Sequence, residues 1–126
     1  MYTPSLDQIR IPNIQDFISS SEYYATLFHE LIHSTGHSSR LNREGITKVN
    51  RSDKIKYSKE ELIAEMGASF LCALTGIENS DLTENAVAYI QNWLQVFKQE
   101  KTMVVKAASR AQEAVDFILN FQLHPN

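Results

Sequence analysis

One stretch of the sequence decides the fold: residues 19–36, which read SSSEYYATLFHELIHSTG. Ser19 and Glu22 have the spacing of a capping box, which predicts that a helix begins there. Gly36 is typical of the residue that ends a helix. Between them, apolar residues recur at helical spacing and predict the buried stripe: Tyr24, Leu27, Phe28, Leu31 and Ile32. The stretch therefore predicts one amphipathic helix whose polar residues lie on a different face.

The polar face of this helix carries the pattern His-Glu-x-x-His. His29 and His33 lie one turn apart, so both imidazoles project from one face and can bind one metal ion, for which zinc is the natural choice. Glu30 is turned slightly around the helix, where its carboxylate can act as general base and then as general acid. The alternative is two surface histidines that flank a glutamate by chance. We expect a zinc site with Glu30 as its catalytic residue.

A catalytic zinc site needs a third protein ligand. One metallopeptidase pattern requires a histidine at position 39, which here is Ser39, whereas His37 lies two residues short of that position. Glu61 and Glu65 share one face of the next predicted helix, so one can bind zinc while the other supports a ligating histidine. The alternatives are that Glu61 only caps that helix through Ser58 and that Glu65 lies on a solvated face. We favour Glu61 as the zinc ligand and Glu65 as the residue that hydrogen-bonds a ligating histidine.

Tyr57 immediately precedes that second helix. A phenol near the metal can donate to the oxyanion of a tetrahedral intermediate, which makes Tyr57 a second candidate catalytic residue. The alternative is a packing tyrosine whose hydroxyl lies in water. The last histidine, His124, lies in the C-terminal tail, where we expect no role.

The charge of the chain is unevenly placed. Residues 40–59 hold two acidic and seven basic side chains, so this segment carries +5 in a chain of net charge −3. It is either a solvated loop or a contact surface for DNA or an acidic partner. The basic residues that we expect to contact such a partner are Arg40, Arg43, Lys48 and Arg51.

The rest of the chain predicts a mainly α (α+β) domain. Residues 6–11 are typical of a short edge strand, and residues 37–57 have little periodicity and predict a loop. Three further helices are predicted over residues 58–75, about 82–99 and about 102–119. The first of these three carries the apolar face Leu62, Met66, Phe70 and Leu74 and ends at Gly76, and the last carries the small-residue face Ala107, Ala111 and Ala114. We expect a single domain over residues 1–126.

Composition bounds the class of protein. The chain has 126 residues, of which 43% are hydrophobic, enough to bury one core. Its one cysteine, Cys72, excludes an internal disulfide and, in an apolar run, predicts a buried thiol. There is no apolar run of membrane-span length and no signal-peptide pattern, so we expect a cytoplasmic protein that contacts no membrane.

Several segments together carry a family resemblance: YYATLFHELIHSTGH (residues 23–37), RLNR (40–43), YSKEELIAEMGA (57–68), AYIQNWL (88–94) and the opening YTPSLDQIRIP (2–12). They resemble the zincin-like metallopeptidase domain of ArdC-type antirestriction proteins over nearly the whole chain. The resemblance implies proteins of plasmids and other mobile elements that protect incoming DNA from restriction. It implies Glu61 as zinc ligand supported by Glu65, and an edge strand, here residues 6–11, that pairs with extended substrate.

The resemblance also sets two expectations about the limits of the chain. Such proteins carry an upstream single-strand DNA-binding domain, which we do not expect here. A full zincin core has further strands and a backing helix before the edge strand, so we expect an excised fragment, a truncated gene product or a helix-dominated minimal version. We expect a zinc-dependent metallopeptidase-type hydrolase that acts on a polypeptide. The alternative is a non-catalytic antirestriction module that binds DNA or protein through the basic residues of segment 40–59.

Overall fold

The fold is known from a computed structural model, which describes residues 1–48, 54–77, 84, 87–88, 90–92, 94–95 and 102–120. Its elements are β1 (Tyr2–Thr3), β2 (Gln8–Ile9), a short 3-10 turn (Ile14–Asp16), α1 (Ser20–Thr35), α2 (Glu44–Thr47), α3 (Lys54–Thr75) and α4 (Thr102–Leu119). The described positions between 84 and 95 are helical, and the rest of the helix predicted there lies outside the described residues. The mainly helical class with a small sheet is confirmed.

Helix α1 begins and ends where the sequence predicts. The backbone N–H of Glu22 donates to Oγ of Ser19 at 3.2 Å, which caps the first turn. The buried side is narrower than the predicted stripe, because Ile32 is fully buried but Tyr24 is 38% exposed. The ring of Tyr24 instead packs against the neighbouring ring of Phe28 on the same helix. The prediction that Tyr24 lies in the core is wrong.

Helix α3 is longer at its N-terminal end than predicted. It already includes Lys54, so Ser58 lies inside the helix and does not cap it. Residues 54–57 contain neither glycine nor proline, so nothing local stops the helix before the Ser-x-x-Glu pattern. At the other end, Gly76 adopts a left-handed φ of 74° and ends the helix as predicted. Leu74, predicted on the apolar face, is exposed.

The N-terminal hairpin differs from the single predicted strand. Only Gln8 and Ile9 of residues 6–11 form a strand, and they pair antiparallel with Tyr2 and Thr3. Asp7, at φ 49°, makes the left-handed turn that returns the chain. The hairpin contacts α1, and the predicted loop over residues 37–57 contains the short helix α2.

The core lies where α1, α3 and α4 meet. Ile32 of α1 rests directly on Gly67 of α3: a Cβ on Gly67 would stand 2.6 Å from Cδ1 and 2.7 Å from Cγ1 of Ile32. The small-residue face of α4 is buried as predicted, and Cys72 is a buried free thiol. No helix among the described residues is long and apolar enough to cross a membrane. The close approach of α1 and α3 brings the polar face of α1 against the first half of α3.

We predict that Gly67→Ala destabilises the protein. The added methyl group has no room against the buried Ile32, and overpacking of this kind costs about 1–3 kcal/mol. At a helix position with room, the same change would stabilise by up to about 1 kcal/mol. The free energy of unfolding in urea measures the difference, with Ala73→Gly, at an exposed position of α3, as the control for helix propensity alone. A Gly67→Ala variant as stable as the wild type would contradict this packing.

Candidate metal centre

Ligand atoms of three side chains from α1 and α3 converge on one point, and we call these side chains, His29, His33 and Glu61, the triangle. Nε2 of His29 and Nε2 of His33 lie 3.1 Å apart, because the two histidines project from adjacent turns of α1. The carboxylate of Glu61 closes the triangle: Oε2 is 3.2 Å from Nε2 of His29, and Oε1 is 3.1 Å from Nε2 of His33. Among the described residues, these three side chains are the ones whose histidine, cysteine or carboxylate groups are placed to hold one ion.

The size of this triangle fits a small divalent ion. Four ligands arranged tetrahedrally at about 2.0–2.1 Å from a zinc ion are separated from one another by about 3.3–3.4 Å. The observed separations of 3.1–3.2 Å, with each Nε2 facing its own oxygen of Glu61, are within a few tenths of an ångström of that value. Two imidazoles and one carboxylate leave a fourth position open, which is the donor set of one class of catalytic zinc sites.

Each histidine is held from behind by a second carboxylate. Nδ1 of His29 lies 3.3 Å from Oε1 of Glu65, as the sequence predicts for a supporting residue. Nδ1 of His33 donates to Oε2 of Glu60 at 2.8 Å. Such contacts fix the tautomer of each ring and turn Nε2 toward the metal position. The second oxygen of Glu65 is buried without a hydrogen-bond partner among the described residues.

Glu60 was missed by the sequence analysis, although a signal for it exists. It stands four, seven and eleven residues before Ala64, Gly67 and Leu71, all buried, so it lies on the core face of α3. A glutamate on such a face is almost never buried unless it is paired. Its partner is Arg43, whose Nε and Nη2 donate to its two oxygens at 2.8 and 3.0 Å.

The pKa values of the three side chains of the triangle differ from those of isolated side chains. Burial lowers the pKa of His29, but hydrogen bonds to Glu61 and Glu65 outweigh it and raise the pKa from 6.5 to about 10. Burial likewise lowers the pKa of His33, and Glu60 and Glu61 raise it overall. For Glu61, burial raises the pKa, but the two histidines bring it well below its usual range. Without metal, His29 therefore stays protonated at neutral pH.

The two candidate catalytic residues lie beside the triangle. Oε2 of Glu30 accepts the backbone N–H of Tyr2 at 2.6 Å, so the N-terminal hairpin orients this carboxylate. Tyr57 is 56% exposed, one turn before Glu61 on α3. The negative charge of Glu61, then burial, then the charge of Glu30 raise the pKa of Tyr57, so its phenol stays protonated at neutral pH.

The other sequence candidates do not join the site. His37 is paired with Ser39, at 2.8 Å between Nδ1 and Oγ, and is not part of the converging group. Ser58 cannot engage Glu61 as a capping residue, because it lies inside α3. His124 lies outside the described residues.

The structure places the four residues of the predicted basic contact surface in different environments, and one of them is not at the surface. Arg43 is buried and fully engaged, so it is not available to a partner, and its inclusion in that surface is wrong. Arg40 donates to the backbone oxygen of Ser34 and pairs with Asp7, which ties the hairpin to the end of α1. Lys48 is exposed, 3.6 Å from Glu44, and Arg51 lies outside the described residues.

Comparison with known proteins identifies relatives over almost the whole chain. Two DNA primases named TraC from Escherichia coli are 37% and 38% identical over 121 residues, 96% of this chain but only 11% and 8% of the primases. An uncharacterized protein, y4eC, from Sinorhizobium fredii (strain NBRC 101917 / NGR234) is 30% identical over 117 residues, 93% of this chain and 37% of that protein. The chain thus spans a minor part of the curated relatives that it matches.

Solved structures give the same assignment. The Mn(II)-bound crystal structure of the antirestriction protein ArdC from plasmid R388 is 44% identical, with a TM-score of 0.76, over 96% of this chain and 45% of that one. The metal-free structure of the same protein has a TM-score of 0.72, over 96% and 43%. The expected zincin-like fold is therefore confirmed. A model of the zincin-like metallopeptidase family matches residues 1–110, and the chain belongs to that family as an ArdC-type domain.

Proposed function

We propose that this chain binds one divalent metal ion, zinc in the first place, through His29, His33 and Glu61, and hydrolyses peptide bonds. The observation that carries the proposal is that ligand atoms of these three side chains lie 3.1–3.2 Å apart, with each Nε2 facing its own oxygen of Glu61, which is close to the separation of the ligands of one ion. When bound, such an ion acts as a Lewis acid toward a carbonyl oxygen and lowers the pKa of water to about 7. The related ArdC protein has a Mn(II)-bound structure, which supports a divalent ion as the ligand of this chain.

The residues of the chain supply the remaining chemistry. Glu30, oriented by the backbone of Tyr2, takes a proton from the attacking water and delivers it to the leaving amine. Tyr57 keeps its phenolic proton at neutral pH and donates a hydrogen bond to the oxygen of the tetrahedral intermediate. The hairpin beside Glu30 holds extended polypeptide by strand addition. The ArdC relationship leads us to place this activity in an antirestriction-like protein of a mobile element, in the cytoplasm.

A second candidate function is a non-catalytic module for an acidic partner or DNA. A cavity of about 600 Å³ between α2, α3 and α4 favours it, because Lys56, Lys59, Lys106 and Arg110 all line that cavity. These residues replace the buried Arg43 as the contact surface. Such binding would fall steeply with salt and would not depend on Glu30.

We predict about one metal ion per chain in protein purified and then supplied with zinc, and loss of that ion in His33→Ala and in Glu61→Ala. Each substitution removes one of three protein ligands, and the remaining two cannot hold the ion through gel filtration. Elemental mass spectrometry measures the ratio. His37→Ala is the matched control, since this histidine lies outside the triangle, and it should keep its metal. Metal retained in both ligand variants would contradict the assignment.

We predict that Glu30→Gln keeps the metal and loses peptide cleavage by at least about a hundredfold, the usual contribution of general acid–base catalysis. The amide preserves the shape of the side chain but cannot accept a proton. Mass spectrometry of a degenerate peptide mixture measures cleavage by the zinc-loaded protein. Glu113→Gln, on an exposed position of α4, is the control. Undiminished cleavage by Glu30→Gln would contradict the role of Glu30, whereas no cleavage of any peptide by the loaded wild type would favour the binding module instead.

We predict that metal binding at pH 8 releases more than one proton. An imidazole with the ordinary pKa of 6.5 is already neutral at pH 8, but His29, with its pKa raised to about 10, is still protonated. A metal ligand must be neutral imidazole, so the proton has to leave. Calorimetric titration with zinc in buffers of different ionisation enthalpy counts the protons. A bound water whose pKa falls to about 7 adds about one proton, so the total at pH 8 should be about two and should fall as the pH approaches 10. A count no higher than one at pH 8 would show that His29 is not held by Glu61 and Glu65.

A further inference from the structure

Arg43 occupies an unusual position for an arginine. Its side chain is only 7% exposed, and it is surrounded by acceptors. Besides both oxygens of Glu60, it donates to Oγ1 of Thr35 at 2.7 Å and to the backbone oxygen of Ile32 at 2.7 Å. A buried charge is costly unless it is paired and hydrogen-bonded, and the partners of Arg43 supply both conditions. Its only charged partner among the described residues is the carboxylate that holds Nδ1 of His33.

Two glycines make room for this pair. A Cβ on Gly36 would stand 3.0 Å from Nη2 of Arg43 and 2.6 Å from Cγ1 of Ile46. A Cβ on Gly45 would stand 2.7 Å from Cβ of Glu60. The backbone also closes here, since the N–H of Arg43 donates to the oxygen of Gly36 at 3.0 Å. The segment that joins α1 to α2 is therefore packed directly against the Arg43–Glu60 pair.

We propose that Arg43 is a positioning residue of the metal centre, which acts through Glu60 on His33. The guanidinium fork fixes both oxygens of Glu60, and the fixed Oε2 sets the ring of His33 so that Nε2 points into the triangle. The segment of residues 36–47 thereby controls metal affinity, although none of its residues touches the ion. The inference rests on the proposed metal site and adds a residue outside it.

The planar fork distinguishes this role from simple charge compensation. A lysine carries the same charge but cannot bind both oxygens of Glu60 and also reach Thr35 and Ile32. If Arg43 only neutralised Glu60, Arg43→Lys would leave the metal centre intact. If the geometry of the fork matters, Arg43→Lys loosens Glu60 and with it the ring of His33. Loss of such outer contacts typically weakens metal binding by about ten- to a hundredfold.

The test is a double-mutant cycle with zinc affinity as the readout, measured by competition with a chromophoric chelator. We expect Arg43→Lys and Glu60→Gln each to weaken zinc binding by about tenfold or more. Because Arg43 acts through Glu60, the double variant should bind no more weakly than Glu60→Gln alone. Arg40→Lys is the matched control: it makes the same change in the same segment, at an arginine that pairs with Asp7. Its affinity should stay within about twofold of the wild type, since surface changes away from a site have small effects.

A spectroscopic readout separates positioning from loss of stability. In Co(II)-substituted protein, the Nδ1 proton of His33 gives a shifted, exchangeable NMR signal, which stays sharp while Glu60 holds it. We expect that signal to broaden in Arg43→Lys and to be sharp in Arg40→Lys. Thr35→Val, which removes one acceptor of Arg43 without altering a charge, should weaken zinc binding in the same direction, and Thr35→Ser should restore it.

Two results would overturn the proposal. Unchanged zinc affinity and an unchanged Nδ1 signal in folded Arg43→Lys and Thr35→Val would show that Arg43 only supports the fold. Additive losses in Arg43→Lys and Glu60→Gln would show that Arg43 does not act through Glu60. Failure of the wild type to bind zinc would instead overturn the proposed function itself, and this inference with it.

Discussion

The distance between α1 and α3 at Ile32 and Gly67 is the constraint on which the rest of the structure depends. Ile32 is fully buried on a glycine that has no side chain, so the two helices approach more closely there than a side chain at residue 67 would allow. His33 follows Ile32 directly, and Glu60 lies two turns before Gly67 on the same face of α3. The apolar contact thus brings two histidines against three carboxylates. Hydrophobic packing supplies the free energy that holds these polar groups together.

The cost of that arrangement is met by pairing. Glu60 and Arg43 are both buried charges, and each would be strongly destabilising alone. Together with His33, Thr35 and the carbonyl of Ile32, they form a network in which the described donors and acceptors are satisfied. In the metal-free protein, the protonated imidazole of His29 offsets the neighbouring carboxylates of Glu61 and Glu65. A divalent ion would replace that positive charge at the same place, which is why the site can be preformed.

Most of the candidate site could be predicted from the sequence because its residues follow two local patterns, each within one helix. His29, Glu30 and His33 are set by the spacing of one helix, and Glu61 and Glu65 by the spacing of another. The features that could not be predicted from the sequence depend on contacts between distant parts of the chain. Arg43, the partner of Glu60, is seventeen residues away on a segment without periodicity. The sequence pattern alone therefore predicts a surface charge at this position. Ser58 does not cap α3, because a residue can cap a helix only at the point where the helix begins, and α3 already includes the residues before Ser58. The prediction for Tyr24 is wrong because helical spacing identifies the apolar face of a helix but not which part of that face another helix covers.

The proposed function depends on His29, His33 and Glu61 binding one ion together. X-ray absorption spectroscopy at the zinc edge of the loaded protein can show this, because it reports the type and number of ligands without assuming a reaction. We expect two imidazole nitrogens and carboxylate oxygen at about 2.0–2.2 Å, with no sulfur. This assignment of ligands also requires that one imidazole disappears from the spectrum when His29 is replaced. A shell made only of oxygen, or a spectrum with two imidazoles that is unchanged by that replacement, would contradict it.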